Sequence, residues 1–397
     1  MKEGWEYKKL KEVGQAQTGT TPSKQIKSYY GGDIPFIRPA ELNIDQNGEI
    51  KYDSELKLTE EGALKSRVIK ANSVLMCCIG SVGKTGFSIK DVTCNQQINT
   101  ITPYENCYPR FVYYALISPS FQQEVIKIAN SAKATLPIIS KGKWEELSIP
   151  VPPLTEQQSI VVYLDAAFAK IDALKANAEK ALNEAQALFQ ASLKEMLEPK
   201  EGWEEKKLMD IGELKNGMNF NKNESGYNVH ILGVGDFGKL FLIDDTDCLQ
   251  TISLNSNPSE EYILKNEDIV FVRSNGNKNL VGRCVLIHVG EEPCSFSGFC
   301  IRFRKSTNEV DACYLTHFLK TENARKKLVG NGANISNLNQ KVLNEFVVSY
   351  PSISEQQSIV DTLDSLKSKV DKLQENYDKI SQECDALKQA ILRQVFE

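Results

Sequence analysis

Histidine is scarce: the chain has three in 397 residues. Hydrolytic triads and most catalytic metal sites use an imidazole as base or ligand, so a histidine-driven active site is poorly supplied. The ten cysteines are scattered and form no C-x-x-C pair. That leaves no disulfide framework and suits a reducing cytoplasm, the expected location. No apolar run reaches the roughly 18–20 residues of a membrane span. The opening stretch, MKEGWEYKKLKEVG, lacks the apolar core of a secretion signal. A basic surplus is missing too, for the formal net charge is −5. Autonomous nucleic-acid binders usually carry a strong basic excess. DNA binding here would therefore need a partner to supply part of the attraction.

Several stretches imitate catalytic motifs. GVGDFG at 233–238 matches G-x-G-x-x-G but is followed by KLFLIDDTD, which lacks the helical spacing a pyrophosphate site needs. A plain turn is the better reading. CIGSVGKTG at 78–86 resembles a phosphate loop, yet Cys78 stands where the first glycine is required. ATP binding is rejected, while Lys84 and Thr85 stay candidates for phosphate or base contacts in an exposed loop. Two C-x-x-x-H spacings, Cys284/His288 and Cys313/His317, lie among apolar residues and read as core packing, since zinc wants four converging ligands. The nearest thing to an amino-methyltransferase signature, NPSE at 257–260, lacks the aromatic that stacks the target base. No catalytic residue and no metal ligand is assigned.

What is present is a repeat. EGWEYKKLKEVG at 3–14 answers EGWEEKKLMDIG at 201–212, and PPLTEQQSIVVYLD at 152–165 answers PSISEQQSIVDTLD at 351–364. A period of about 200 residues is far too long for a solenoid and marks a duplicated domain pair. The order is globule 1–153, long segment 154–199, globule 200–352, long segment 353–397. Short β-rich runs such as DIPFIRP, NSVLMCCIG, DIVFVRS and GRCVLIHV alternate with Gly/Asn loops in the globules. Amphipathic helices follow late in each, so the globules read as α/β or α+β.

The long segments read as helices of about 43 residues, roughly 65 Å. Prolines stand just upstream, and Thr155 with Gln158, like Ser354 with Gln357, matches the S/T-x-x-E/Q capping box. In the second copy Leu363, Val370, Tyr377, Cys384 and Ile391 form one seam position, with Leu366, Leu373, Ile380 and Leu387 in the other. The first copy offers Leu164, Ile171, Leu174, Ala178, Ala181, Ala185 and Leu188. Small residues there would face Tyr377, Ile380 and Cys384 in an antiparallel, pseudo-two-fold coiled coil. Packing of each helix on its own globule, or pairing with another chain, stays open.

Recognition chemistry is concentrated in the loops. TGTTPSKQIKSYYGG at 18–32 supplies Thr20, Thr21, Ser23 and Lys24, and Arg38 lies just beyond. CNQQINT at 94–100 supplies Asn95, Gln96 and Gln97. RSNGNKNLVGR at 273–283 supplies Arg273, Asn275, Asn277, Lys278 and Arg283. Lys133, Asn219, Asn221, Lys222 and Asn334 join them. Arg on guanine and Asn or Gln on adenine are the standard base-edge pairings, and Lys, Ser and Thr hold phosphates.

With TPSK…YYGGDIPFIR at 21–38, RSNGN…LVGR at 273–283 and TLPIISKGKWEELSIPVPPLTEQQSIV at 135–161, the whole chain resembles the specificity subunit of type I restriction-modification systems. The resemblance implies two target recognition domains, each reading half of a split double-stranded DNA sequence. It implies a coiled-coil spacer of antiparallel helices. It implies two methyltransferase subunits carrying S-adenosylmethionine, and restriction subunits using ATP, with no cofactor and no catalysis in this chain. YPSIS at 350–354 departs from VPPLT in the first copy. Two alternatives remain: a stand-alone DNA-modifying enzyme with built-in readers, and a protein–protein scaffold that ignores DNA.

Overall fold

A computed structural model of the protein describes residues 4–131, 135–221, 224–238, 240–329 and 337–397. The chain forms two compact units, 1–181 with 375–397 and 182–374. Lys133, Lys222 and Asn334 lie outside the described residues, as does the side chain of Lys278.

In the first unit the strand Ser73–Cys77 is buried throughout, as its unbroken apolar run SVLMC demands. It lies inside a four-stranded antiparallel sheet between Ile98–Pro103 and Thr85–Ser88, with Gly14–Thr18 on the outer edge. Successive side chains point to opposite faces. Val74 and Met76 therefore join the core under the helices, while Leu75 and Cys77 join a second core with Ile37, Ile69 and Cys94. That second core backs onto a second four-stranded sheet, in which Tyr30–Ile37 runs parallel to Val92–Cys94.

The second unit repeats the plan. Ile269–Val272 lies between Cys300–Lys305 and Cys284–Ile287 in a five-stranded sheet. Ile269 and Phe271 face one core, Val270 and Val272 the other. Its smaller sheet again contains one parallel pair, Tyr227–Leu232 with Cys294–Phe296. In each unit a two-stranded antiparallel ribbon pairs the two ends of the globule, Glu6–Lys9 with Ser148–Val151 and Glu204–Lys207 with Val347–Tyr350. The late amphipathic stretches are each two helices: Pro109–Leu116 then Pro119–Asn130, and Ala312–Lys320 then Glu322–Val329. Pro119 explains the first break, because it bars helix at Ser118 and suits the first turn of a new one.

The long helices run Leu154–Leu197 and Ile353–Phe396. Both start earlier than the capping-box reading requires. The amide of Gln157 bonds the Pro153 carbonyl at 3.0 Å, so Thr155 and Gln158 lie inside the first turn and do not cap. In the second copy the Ser352 hydroxyl accepts from Glu355 N–H at 3.4 Å, two residues before the expected Ser354. Gln357 instead donates along the helix to Asp361 at 3.0 Å.

The helices pair antiparallel within each unit, and they also pack on the globule cores. In the first unit Leu164, Phe168 and Ile171 share a core with Cys384, Leu392, Val395 and Phe396. Lys388 reaches Asp172 at 2.5 Å and Lys175 reaches Asp385 at 3.4 Å, which fixes the sense of the pair. Phe396 lies against Phe111 with ring centroids 5.4 Å apart. In the second unit Phe189, Leu193, Met196 and Leu197 pack with Ile359, Val360 and Leu363.

The seam differs from the spacing read in the sequence. Leu174, Leu188 and Leu387 are 55%, 61% and 50% exposed, and Ala181 is exposed as well. Phe168, Lys175, Leu182 and Phe189 take the alternate positions of the first helix. The reason is aromatic: this register sets Phe168 edge-on to Tyr114 at 5.6 Å and beneath the Lys388 ammonium at 5.3 Å. Leu164, Ile171, Ala178 and Ala185 keep their expected positions, buried or half-buried. So do Leu363, Leu366, Val370, Leu373, Tyr377, Ile380, Cys384 and Ile391. Antiparallel geometry brings Cys384 to the Ile171 carbonyl at 3.8 Å, not opposite Ala185.

Candidate nucleic-acid interface

In the first unit several polar loops meet beside the ends of the main sheet. The strand Gly14–Thr18 continues into Gly19 and Thr20, whose backbone N–H groups bond the Ile98 and Cys94 carbonyls. Thr21 Oγ1 then donates to Gln96 Oε1 at 2.6 Å. Asn95 and Gln97 hold each other, with Asn95 Nδ2 donating to Gln97 Oε1 at 2.8 Å and Gln97 N–H to Asn95 Oδ1 at 3.1 Å. This closed Asx turn spends both amides on the loop and leaves Gln96 exposed. Cys78 N–H bonds the Gln97 carbonyl at 2.8 Å, and Gly80 N–H the Pro137 carbonyl at 3.1 Å, so three segments form one surface.

Lys84 is exposed and its ammonium donates to the Pro39 carbonyl at 3.0 Å. Thr85 is not a surface residue: it is buried, and its hydroxyl donates to the Gly83 carbonyl at 2.8 Å. Arg38 forks onto Glu41 through Nε at 2.8 Å and Nη2. That hydrogen bond holds the Glu41 carboxyl below the ordinary carboxylate range. Ser23, Lys24 and Thr20 lie along the same loop, the first two exposed.

In the second unit the segment 273–283 fills the corresponding place between Ile269–Val272 and Cys284–Ile287. Arg273 N–H bonds the Phe299 carbonyl at 2.8 Å, and its Nη1 approaches the Gly298 carbonyl at 3.4 Å. Consecutive side-chain turns shape the loop, Asn275 Oδ1 accepting from Asn277 N–H at 2.7 Å and Asn277 Oδ1 from Asn279 N–H at 3.1 Å. Leu338 N–H bonds the Arg273 carbonyl at 2.7 Å, and Gly298 N–H the Met218 carbonyl at 2.7 Å. These bonds bring Asn219 beside the Arg273 loop, while Asn221 lies in a separate turn, its N–H donating to Glu224 Oε1 at 3.0 Å. Phe299, which no sequence motif marks, is 61% exposed next to Arg273. It follows Gly298 in the turn that answers residues 95–97 of the first unit. An apolar ring left in water at the tip of a polar loop is the signal that could have singled it out.

The imitation motifs resolve into structure. The 78–84 loop joins two antiparallel strands, with Met76 opposite Thr85, whereas a phosphate loop leads from strand to helix. In GVGDFG the Gly233 N–H is already taken by Asp236 Oδ2 at 2.8 Å, which puts a carboxylate where pyrophosphate would sit. Cys284 is buried and its thiol is pushed up to about 11 by burial, while His288 pairs with Asp244 at 3.2 Å. Among the described residues no three His, Cys, Asp or Glu side chains converge as metal ligands. No helix among them is long and apolar enough to cross a membrane.

The repeated EQQSIV supplies the joint between globule and helix. Gln157 is buried: its Oε1 accepts from Tyr108 N–H at 2.7 Å, and its Nε2 donates to the Pro152 carbonyl at 2.8 Å and that of Asn106 at 3.3 Å. Gln356 does the same with Asp311 N–H, the Pro351 carbonyl and the Glu309 carbonyl, each at 2.8 Å. Two turns on, Tyr114 bonds Asp165 in the first unit, and His317 approaches Asp364 at 3.3 Å in the second.

This twice-built unit matches a family model, the type I restriction modification DNA specificity domain, over residues 2–184 and again over 200–382. The chain belongs to that family. The specificity subunit of the type I restriction enzyme MjaIX of Methanocaldococcus jannaschii is 26% identical over 292 residues, 68% of this chain and 66% of that one. The StySPI specificity subunit of Salmonella potsdam is 24% identical over 99% of this chain and 89% of its own. A chain from a structure describing complex assembly of a type I restriction-modification system shares the fold, with a TM-score of 0.76 at 18% identity. The match covers 100% of this chain and 98% of that one. Both specificity domains therefore carry the polar loop surfaces described above on one shared scaffold.

Proposed function

We propose that this chain is the DNA sequence-recognition subunit of a type I restriction-modification complex. Each specificity domain reads one half of a bipartite double-stranded target, and the paired helices set the spacing between the halves. The observation that carries this reading is the duplicated globule-and-helix unit, matched twice by a DNA specificity family. Chemistry belongs to partners: two methyltransferase subunits carrying S-adenosylmethionine, and restriction subunits that use ATP. The complex works in the cytoplasm.

Candidate base readers are Gln96 and Lys84 in the first domain, and Arg273, Asn275 and the Phe299 ring in the second. Thr20, Thr21, Ser23, Lys24, Asn219 and Arg283 flank them as phosphate or base contacts. Arg38 is held by Glu41, so its role is to brace the loop before Lys84. The net charge of −5 fits a reader whose partners share the phosphate contacts.

The test is to reconstitute the chain with its methyltransferase subunit and methylate a library of split sites with varied spacers. One heptad inserted into both helices shifts the preferred spacer and leaves the bases unchanged. An unchanged spacer preference would sink the ruler role.

A further inference from the structure

A cavity of about 220 Å³ opens in the second specificity domain, lined by Arg283, Lys320, Arg325, Cys284 and residues around Gly238. Three cations share it, and no Asp or Glu among the described residues lines it. Each cation is aimed by a backbone carbonyl. Arg283 Nη1 donates to Gly238 at 2.7 Å, Lys320 Nζ to Leu240 at 2.7 Å and Cys284 at 2.8 Å, and Arg325 Nη2 to Asn279 at 3.1 Å. Arg325 Nε is buried with no partner. A buried N–H on a cation left unsatisfied is costly. Burial holds both Lys320 and Arg325 below their ordinary ranges, and nearby guanidinium charge, that of Arg283 above all, adds to the effect. Like charges gathered without a counter-charge are retained where an anion completes them.

The first domain shows what the same scaffold does without this demand. Gln122 N–H bonds the Ser118 carbonyl at 3.0 Å as Arg325 N–H bonds that of Thr321 at 3.0 Å, so the two positions correspond. Ile117 then answers Lys320, each one residue ahead of that carbonyl. Gln122 Nε2 donates to Leu116 at 2.6 Å and approaches Thr85 Oγ1 at 3.5 Å, filling its space with neutral bonds. The cationic cavity is therefore an addition to the second domain, not a demand of the fold.

We propose that Arg283, Lys320 and Arg325 form a phosphate site that takes a backbone phosphodiester of the DNA bound by the second domain. The assignment to DNA rests on the reading of this chain as a DNA-recognition subunit. It follows from the bond between Arg325 and Asn279, which ties the cavity to the 273–283 loop. Two guanidinium groups and an ammonium match the oxygens of a phosphate, and no carboxylate among the described lining residues competes for them.

Two arms test it. In the first, the full chain alone is melted in inorganic phosphate and in chloride at equal ionic strength. Wild type gains several degrees in phosphate, and Arg325→Gln, which installs the first domain's own residue, loses the gain while melting normally in chloride. Lys320→Met loses it also. No phosphate-specific gain in wild type, or an equal gain in Arg325→Gln, overturns the site whatever the chain does with DNA. In the second arm, the complex with methyltransferase subunits binds DNA across a salt series. Arg325→Gln weakens binding alike for all sequences and lowers the salt slope by about one. A phosphate-specific melt with an unchanged slope would assign the site to free phosphate and overturn the DNA contact.

Discussion

Gln157 and Gln356 hold the most heavily used side chains of the repeat. Each closes a helix onto its globule by satisfying the carbonyl of a proline just before the helix together with one N–H and one carbonyl of a globule turn, at 106–108 and 309–311. Removing such a group leaves buried backbone atoms without partners, at a cost of about 1–3 kcal/mol. Gln157→Ala and Gln356→Ala should each lower stability by that amount in urea unfolding, and Gln158→Ala, on an exposed side chain, by less than about 0.5 kcal/mol. The repeat made this stretch visible in the sequence, but not which glutamine mattered. The Thr155-to-Gln158 spacing imitates a capping box, and only the fold shows that the chain turns helical two residues earlier. Lys320 and Arg325 were illegible for a related reason: they stand on two helices and meet Arg283 only once the sheet forms. His317 gives a pH prediction. Burial lowers its proton affinity from the ordinary value near 6.5, against the pull of Asp364. The unfolded chain then binds the extra proton, so this contribution to stability is complete above about pH 6.5 and is lost as pH falls below it. His317→Tyr, the residue at the matching place in the first domain, should remove that part of the pH dependence in chemical denaturation.

At the scale of elements, both long helices and the strands Tyr30–Ile37, Ser73–Cys77, Ile269–Val272 and Cys284–Ile287 could be read from periodicity and from proline and glycine punctuation. The second helix showed nearly all of its seam. The first did not, because alanines give little contrast between faces and Leu174 and Leu188 suggested a register that leaves them in water. The globule decides the matter by offering Tyr114 to Phe168. The end of the second helix is held by Phe396 on Phe111 in the first unit's core. Phe396→Ala should therefore cost about 3–5 kcal/mol, while Leu387→Ala, predicted by spacing to be on the seam, should change stability by less than about 0.5 kcal/mol. Thermal or urea unfolding of the two variants decides between the registers. An equal loss in both would restore the one read from the sequence.

Across the whole molecule, duplication separates the parts the halves share from the parts where they diverge. The shared parts are the ribbons that close each globule, the buried glutamines and the helices. The differing parts are residues 95–97 against 297–299, and 78–84 against 273–283. In the first domain these loops present amides and a lysine; in the second they present an arginine, asparagines and an exposed phenylalanine. On the proposed function, two different surfaces on one scaffold should read two different half-sites. The most direct measurement is a genome-wide map of methylated bases made by the reconstituted complex, comparing wild type with Arg273→Ala/Asn275→Ala. Wild type should mark one split sequence. The variant should blur the half read by the second domain and leave the other half and the spacer as they were. Loss of definition in both halves together, or in neither, would contradict the assignment of one half-site to each domain.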